Sequence, residues 1–366
     1  MLHALKSSIY GGYMITSAYV KEQAKKFGAD LVGITSMDRF EGAPKQMDPR
    51  YIFPGAKSMI VLGYRIPRGA FRGIEEGTFF ITYSSMGYAG INLIYGPMVL
   101  WNMTRMLEDA GHETVPIPNM NGGEAVSPVT GNFRKGWSMT VDGEKPHPDI
   151  LIHYRIAAYL AGLGEIGYSR IFLTPEFGPR NRFNILLTSA ELEPDPIYEG
   201  PKICDRCMQC VKNCTSGALS GKETVKVRVA GHDLEWAKFD AYACEAGVKG
   251  GYENERNPFI GEYPRQYGYG RAVEGAAGCI RACMVHLEER DKLKNKFTEP
   301  FRTNKMWSVD HKNEDVIAPS VEEEYIKKGK VENYKDYITY NKTSNYGTEK
   351  NPARAGNGMG LGKDDE

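Results

Sequence analysis

Four cysteines, Cys204, Cys207, Cys210 and Cys214, stand at C-x2-C-x2-C-x3-C spacing, the interval at which thiolates wrap an iron–sulfur cube. In that arrangement the first three hold one cluster and the fourth reaches a second, whose remaining ligands come from elsewhere in the chain. The sequence has seven cysteines in all, which leaves Cys244, Cys279 and Cys283 for that purpose. Zinc sites usually come as two separated C-x2-C pairs. A disulfide framework belongs to small secreted chains with an even cysteine count, and neither condition is met. Iron–sulfur ligation is the reading that the spacing favours.

Cys279 and Cys283 supply a closing C-x3-C, with Cys244 as a distant first member and Ala276 where a middle cysteine would stand. If the last cysteines are exchanged between the sets, Cys204, Cys207, Cys210 and Cys283 bind a complete [4Fe–4S] cluster. The second cluster keeps Cys214, Cys244 and Cys279. Three thiolates suit a [3Fe–4S] cluster, or a [4Fe–4S] cluster with a non-cysteine ligand such as water, a carboxylate or a histidine. The plainer alternative makes Cys244 a buried thiol. Thr215 and Met284 occupy positions where proline usually follows such cysteines, which would change hydrogen bonding to the sulfurs and so the potential.

Elements must position these groups. The chain has 366 residues, with 46 Lys and Arg against 46 Asp and Glu. This balance gives no global attraction to nucleic acid or to an anionic membrane. No apolar stretch approaches the roughly 20 residues of a membrane-spanning helix. The first ten residues carry neither a secretory core nor a twin-arginine pair. The chain therefore reads as cytoplasmic, with export behind a removed twin-arginine signal left open. Residues 1–200 alternate helix and strand patterns, which favours an α/β or α+β layered domain. Ser17 is placed to cap a helix that Gly28 ends. Strands are expected at Leu31–Thr35, Ser58–Gly63 and Phe183–Thr188. A helix is expected from Ile91 to Leu107, and Thr114–Ile117 reads as an edge strand because of Pro116. Residues 201–290 form the cysteine region, with an insertion-like stretch from Gly250 to Arg271. Residues 291–366 form a polar wrapping tail.

Two further segments carry chemistry. Gly162, Gly164 and Gly167 let backbone approach a ligand closely. They fit a bare G-x-G-x-x-G, but a helix pattern at Tyr154–Leu160 precedes them instead of the strand a dinucleotide site needs. Residues 173–182, Leu173 to Arg182, follow. These segments, joined to the cysteine run, resemble the cobalamin-dependent iron–sulfur reductases over roughly residues 20 to 290. That superfamily comprises the reductive dehalogenases and epoxyqueuosine reductase, and the resemblance is closer to the dehalogenase branch. It implies a corrinoid-binding domain with a nitroreductase-like core, then a bacterial ferredoxin-like two-cluster domain. The implied corrinoid is base-off, and the chain indeed lacks a D-x-H-x-x-G motif, His112 being wrongly spaced. Its contacts would be Gly162, Gly164, Gly167, Thr174, Pro175, Phe177, Gly178, Arg180 and Arg182. Also implied are a small halogenated substrate, a low-potential electron donor, a membrane anchor protein and a homodimer. Nucleic acid is not expected.

In the dehalogenase branch a tyrosine beside a cation donates the proton, because an adjacent positive charge favours phenolate. Family-like spacing points to Tyr95, with Asn121 and Arg155; Tyr83 and Tyr88 are the fallbacks. Among 22 tyrosines, any one is more often structural. His153 either lines the pocket or is a satisfied, partly buried histidine. The charge run Glu288 to Lys294 reads as a solvated helix face. Two other functions compete. Epoxyqueuosine reductase acts on tRNA, but this tail is non-repetitive and ends acidic. A ferredoxin-type electron carrier would bind no corrinoid.

Overall fold

In a computed structural model of the chain, the described residues are 9–10, 13–119, 139–148, 150–248, 274–301 and 307–309. Asn121, the whole stretch Gly250 to Arg271 and the tail beyond residue 309 lie outside them. In chain order the elements begin with the short pair β1 (Ile9–Tyr10) and β2 (Tyr13–Met14), then α1 (Ser17–Phe27), β3 (Leu31–Ser36) and β4 (Ser58–Arg65). Next come α2 (Arg72–Glu76), a π-helix at Tyr83–Tyr95, α3 (Gly96–Asp109), β5 (Thr114–Ile117) and α4 (Tyr154–Leu160). The hairpin β6 (Glu165–Ile166) and β7 (Phe172–Leu173) precedes β8 (Asn181–Thr188). The cysteine region holds α5 (Gln209–Lys212), β9 (Leu219–Val229), β10 (His232–Phe239), α6 (Ala241–Val248) and α7 (Glu274–Glu289).

The central sheet has the order β3-β4-β8-β5, and every pairing in it is antiparallel. The alternating pattern therefore builds a mixed α/β layer of the α+β kind, without the parallel sheet of an α/β unit. Successive side chains of a strand point to opposite faces, and both faces here are covered. Ile60 and Leu62 pack with Val20 and Ala24 of α1 and with Leu100 and Met103 of α3. Met59 and Val61 pack with Ala157 and Leu160 of α4. That double burial explains why β4 reads as a continuous apolar run. β5 is one of the two edge strands, where Pro116 costs no ladder hydrogen bond to a second neighbour.

Thr16, one residue before the expected Ser17, caps α1, its hydroxyl accepting from the Tyr19 amide at 3.1 Å. Ser17 instead donates to the Glu193 carbonyl. Gly28 ends α1 in the left-handed region at φ 114°, a conformation glycine adopts without steric cost.

α7 carries Cys279 and Cys283 and continues past both to Glu289. Proline at 284 would remove an amide inside this helix. Met284 is fully buried and joins the main core with Phe71 and Ile74. The residue that departs from the usual pattern thus lets a cysteine-bearing helix become part of the body's core. The charge run at the end of α7 is also anchored. Arg68 donates to both Glu288 carboxylate oxygens, at 2.8 to 3.1 Å, and the Arg68 side chain is 6% and that of Glu288 17% exposed. Glu288 is therefore an interior ion-pair partner and not part of a solvated face. No described helix is long and apolar enough to cross a membrane.

Candidate functional site

A tight loop bends the first cysteines toward one point, with Arg206 and Met208 both at positive φ. Glu165, on β6, accepts hydrogen bonds from the amides of Ile203 and Cys204, so the β6–β7 hairpin holds the start of the loop. The Tyr168 amide donates to Cys204 Sγ at 3.4 Å. α7 brings Cys283 beside this loop, and Cys204, Cys207, Cys210 and Cys283 line one small cavity with Tyr168 and His286. Burial pushes the Cys210 thiol up to about 11, helped by Cys204 and Cys207. Burial also raises Cys283 well above the ordinary thiol value, and Cys204, Cys210 and Cys207 add to the effect.

Cys279 lies one helical turn before Cys283 on α7 and groups with Cys214 and Cys244. Cys279 is raised first by burial, then by Cys244 and Cys214. Cys214 and Cys279 both pack around the apolar cluster of Tyr168, Cys210, Leu219 and Ala237. Cys210, Cys279 and Cys283 resist ionisation beside their neighbours, so holding them as thiolates requires cationic metal, whose binding releases their protons. Soft thiolate donors in groups of four and three fit iron–sulfur clusters.

The three candidate tyrosines part company on the π-helix. Its hydrogen bonds run i→i+5, so Tyr83 and Tyr88, five apart, come round to one side. An α-helical period would have separated them. Arg182, on β8, donates to the Tyr83 hydroxyl at 2.9 Å, and its guanidinium lies 4.2 Å from the centre of the Tyr88 ring. Burial raises Tyr83 above the ordinary phenol value, and the Arg182 charge acts against that rise. Tyr95 points elsewhere. Its hydroxyl donates to the Gly28 carbonyl at 2.8 Å, and its ring meets the edge of Tyr64. It braces α1 against α3 and is not brought to Arg155.

Arg155, at the start of α4, is half-buried. Burial, and then the charges of Arg170 and Arg182, push its pKa down to about 10, while Cys279 and Tyr88 act in the opposite direction. Among the described residues, Arg155, Arg170 and Arg182 make no ion pair with a carboxylate. His153 caps α4, its Nδ1 accepting from the Ile156 amide, and its ring stacks on Trp236. Burial and the neighbouring Arg155 and Arg170 push its pKa down to about 3. It is thus a neutral structural histidine. Arg170 carried no sequence signal, because nothing in its spacing distinguishes it from other arginines.

The glycine segment packs closely on the chain itself. A Cβ on Gly162 would lie 2.2 Å from the Pro196 carbonyl oxygen, and one on Gly164 would lie 2.0 Å from that of Leu173. A Cβ on Gly167 would touch the Leu173 side chain. These glycines admit neighbouring protein backbone and side chain. The segment from Thr174 to Arg180 is likewise occupied by protein contacts. Thr174 is fully buried and Phe177 and Arg180 nearly so. Gly178 packs on Leu287 and Leu293, and the Pro175 carbonyl accepts from the Lys294 amide. Arg180 donates to the Ile66 carbonyl and to Asn295. Protein contacts thus fix the position of this segment. Of that set, Arg182 alone reaches the tyrosines.

No protein-family model matches the chain. Tetrachloroethene reductive dehalogenase from Sulfurospirillum multivorans is 30% identical over 129 residues, 34% of this chain and 21% of that protein. The chain is similar in sequence to the reductive dehalogenases. Epoxyqueuosine reductase from Listeria monocytogenes is 32% identical over 69 residues, 19% of this chain and 18% of that protein. Both relatives are reductases, and the chain matches about a fifth of the length of each. The structure of a catabolic reductive dehalogenase superposes with a TM-score of 0.48 at 16% identity, covering 84% of this chain and 44% of that one.

Proposed function

We propose that this chain is a cobalamin-dependent iron–sulfur reductase that removes halogen from a small organic molecule. The observation that carries the reading is the Arg182 hydrogen bond to Tyr83 at 2.9 Å, with Tyr88 stacked on the same guanidinium. Cys279 of the inner thiol set acts on Tyr83 as well. Sequence similarity to the reductive dehalogenases supports the same assignment.

Cys204, Cys207, Cys210 and Cys283 would hold a [4Fe–4S] cluster that receives electrons from a low-potential donor. Cys214, Cys244 and Cys279 would hold the second cluster. A bound corrinoid would supply the low-potential cobalt that takes halogen from carbon. The chain's own residues manage the proton. Tyr83 is the donor, because it accepts from Arg182 while its own proton has no acceptor among the described residues. As that proton moves from the phenol oxygen to the substrate carbon, Arg182 stabilises the phenolate left behind. Tyr88 completes the pair, and Arg155 adds positive charge beside them.

The test is anaerobic turnover of a halogenated panel with a strong reductant. Tyr83→Phe should lose at least about 100-fold in turnover, within the range usual for a missing general acid, with iron and cobalamin contents unchanged. Tyr95→Phe should retain turnover. A purified holoprotein with iron–sulfur absorption and no cobalamin bands would instead make the chain an electron carrier.

A further inference from the structure

Arg170 stands at φ 66°, in the left-handed region, where a long side chain is uncommon and glycine or asparagine sits more easily. Its amide closes a turn onto the Gly167 carbonyl. Backbone strain held at one position points to a use for the side chain found there. The guanidinium lies 4.4 Å from the centre of the Phe239 ring. Phe239 packs in one cluster with Cys204, Cys210, Cys214 and Cys279, and it ends β10 directly before α6, which carries Cys244 of the inner set. Its Nε is buried without a hydrogen-bond partner, and no carboxylate pairs with it among the described residues. Burial disfavours the charged form, and Cys244 is the group acting to restore it. A buried cation without a counter-ion is costly. The sulfurs of the inner set are the anions available to it.

We infer that Arg170 is the counter-charge of the inner, three-cysteine iron–sulfur site and sets its reduction potential above that of the same site without it. This rests on the two-cluster reading given above. Reduction adds negative charge to a cluster, and a fixed cation nearby favours the reduced form. Arg170 is a positioning residue in this sense, acting on the cluster's potential without touching substrate.

The experiment is a redox titration of the anaerobic holoprotein, with each cluster followed by its own paramagnetic resonance signal. Arg170→Gly and Arg170→Asn remove the charge and suit the left-handed turn, so folding is preserved. At a fixed potential the reduced-to-oxidised ratio of the inner cluster should fall about tenfold, equivalent to about 59 mV for a one-electron couple. The outer cluster should be unmoved, and Arg170→Lys should recover most of the shift. An inner potential unchanged in both charge-removing variants, or equal shifts in both clusters, overturns the inference. Iron content and signals corresponding to a single cluster in the unsubstituted protein overturn the reading beneath it, which separates the two failures.

Discussion

Glu288→Ala should loosen the helix on which both cluster sites depend. The Arg68–Glu288 pair joins α7 to the segment just before α2, with Arg68 donating to both carboxylate oxygens and to the Glu299 carbonyl at 2.9 Å. Arg281 and Glu75, also buried, form a second link at 3.3 Å. At 2.8 Å and an effective dielectric near 20, the gross attraction of the first pair is about 6 kcal/mol. Much of that is offset by taking two ions out of water. Removing the carboxylate alone is a different matter. It leaves the Arg68 guanidinium buried between the Phe297 and Phe301 rings, without an anion. A broken buried pair of this kind costs about 3–5 kcal/mol. At roughly 2–4 °C per kcal/mol for a domain of this size, melting should fall by roughly 6–20 °C. The assay is thermal unfolding of the anaerobic holoprotein, followed by far-ultraviolet circular dichroism and by visible cluster absorption. Combining Arg68→Met with Glu288→Leu removes both charges and should recover most of the loss. A Glu288→Ala melting point within about 2 °C of the parent would refute the reasoning. A double variant as unstable as the single one would do the same.

Two further outcomes are expected. Cys283→Ser should remove the outer cluster signal and spare the inner, and Cys244→Ser should do the reverse; loss of the inner signal alone on changing Cys283 would reject the exchange of cysteines between sets. His153 has a folded-state pKa of about 3, below its ordinary value of about 6.5, so the unfolded chain binds the proton that the folded chain refuses. Stability should therefore fall as pH drops below about 6.5, by about 1–2 kcal/mol at pH 5 through this group. His153→Asn keeps a capping side chain and should flatten that part of the acid profile in urea titrations; an unaltered profile would count against it.

The strands and the edge position of Thr114–Ile117 were legible because they rest on local rules, whereas the helix expected from Ile91 is π-helical to Tyr95 and becomes α3 at Gly96. Apolar periodicity, a left-handed glycine and a proline each act within a few residues. The tyrosines were not legible in the same way, because the π-helical stretch from Tyr83 to Tyr95 changes which positions share a side. Close approach can be read from Gly162 and Gly164, but that the chain's own backbone lies against them is a tertiary fact.

Cysteine spacing by itself pointed to iron–sulfur ligation, since the C-x2-C-x2-C-x3-C interval is a local geometric constraint. It also raised the exchange of the last cysteine as a pairing rule. Only the tertiary structure placed Cys283 with the first three cysteines and Cys279 with Cys214 and Cys244, because α7 presents the two thiols one turn apart and the rest of the chain folds against it. It alone turned Tyr95 toward Gly28, and Tyr83 and Tyr88 toward Arg182. Charge placement is the physical reason. Whether an arginine or glutamate is solvated, paired or left as a buried counter-charge depends on what folds against it, and no spacing along the chain records that.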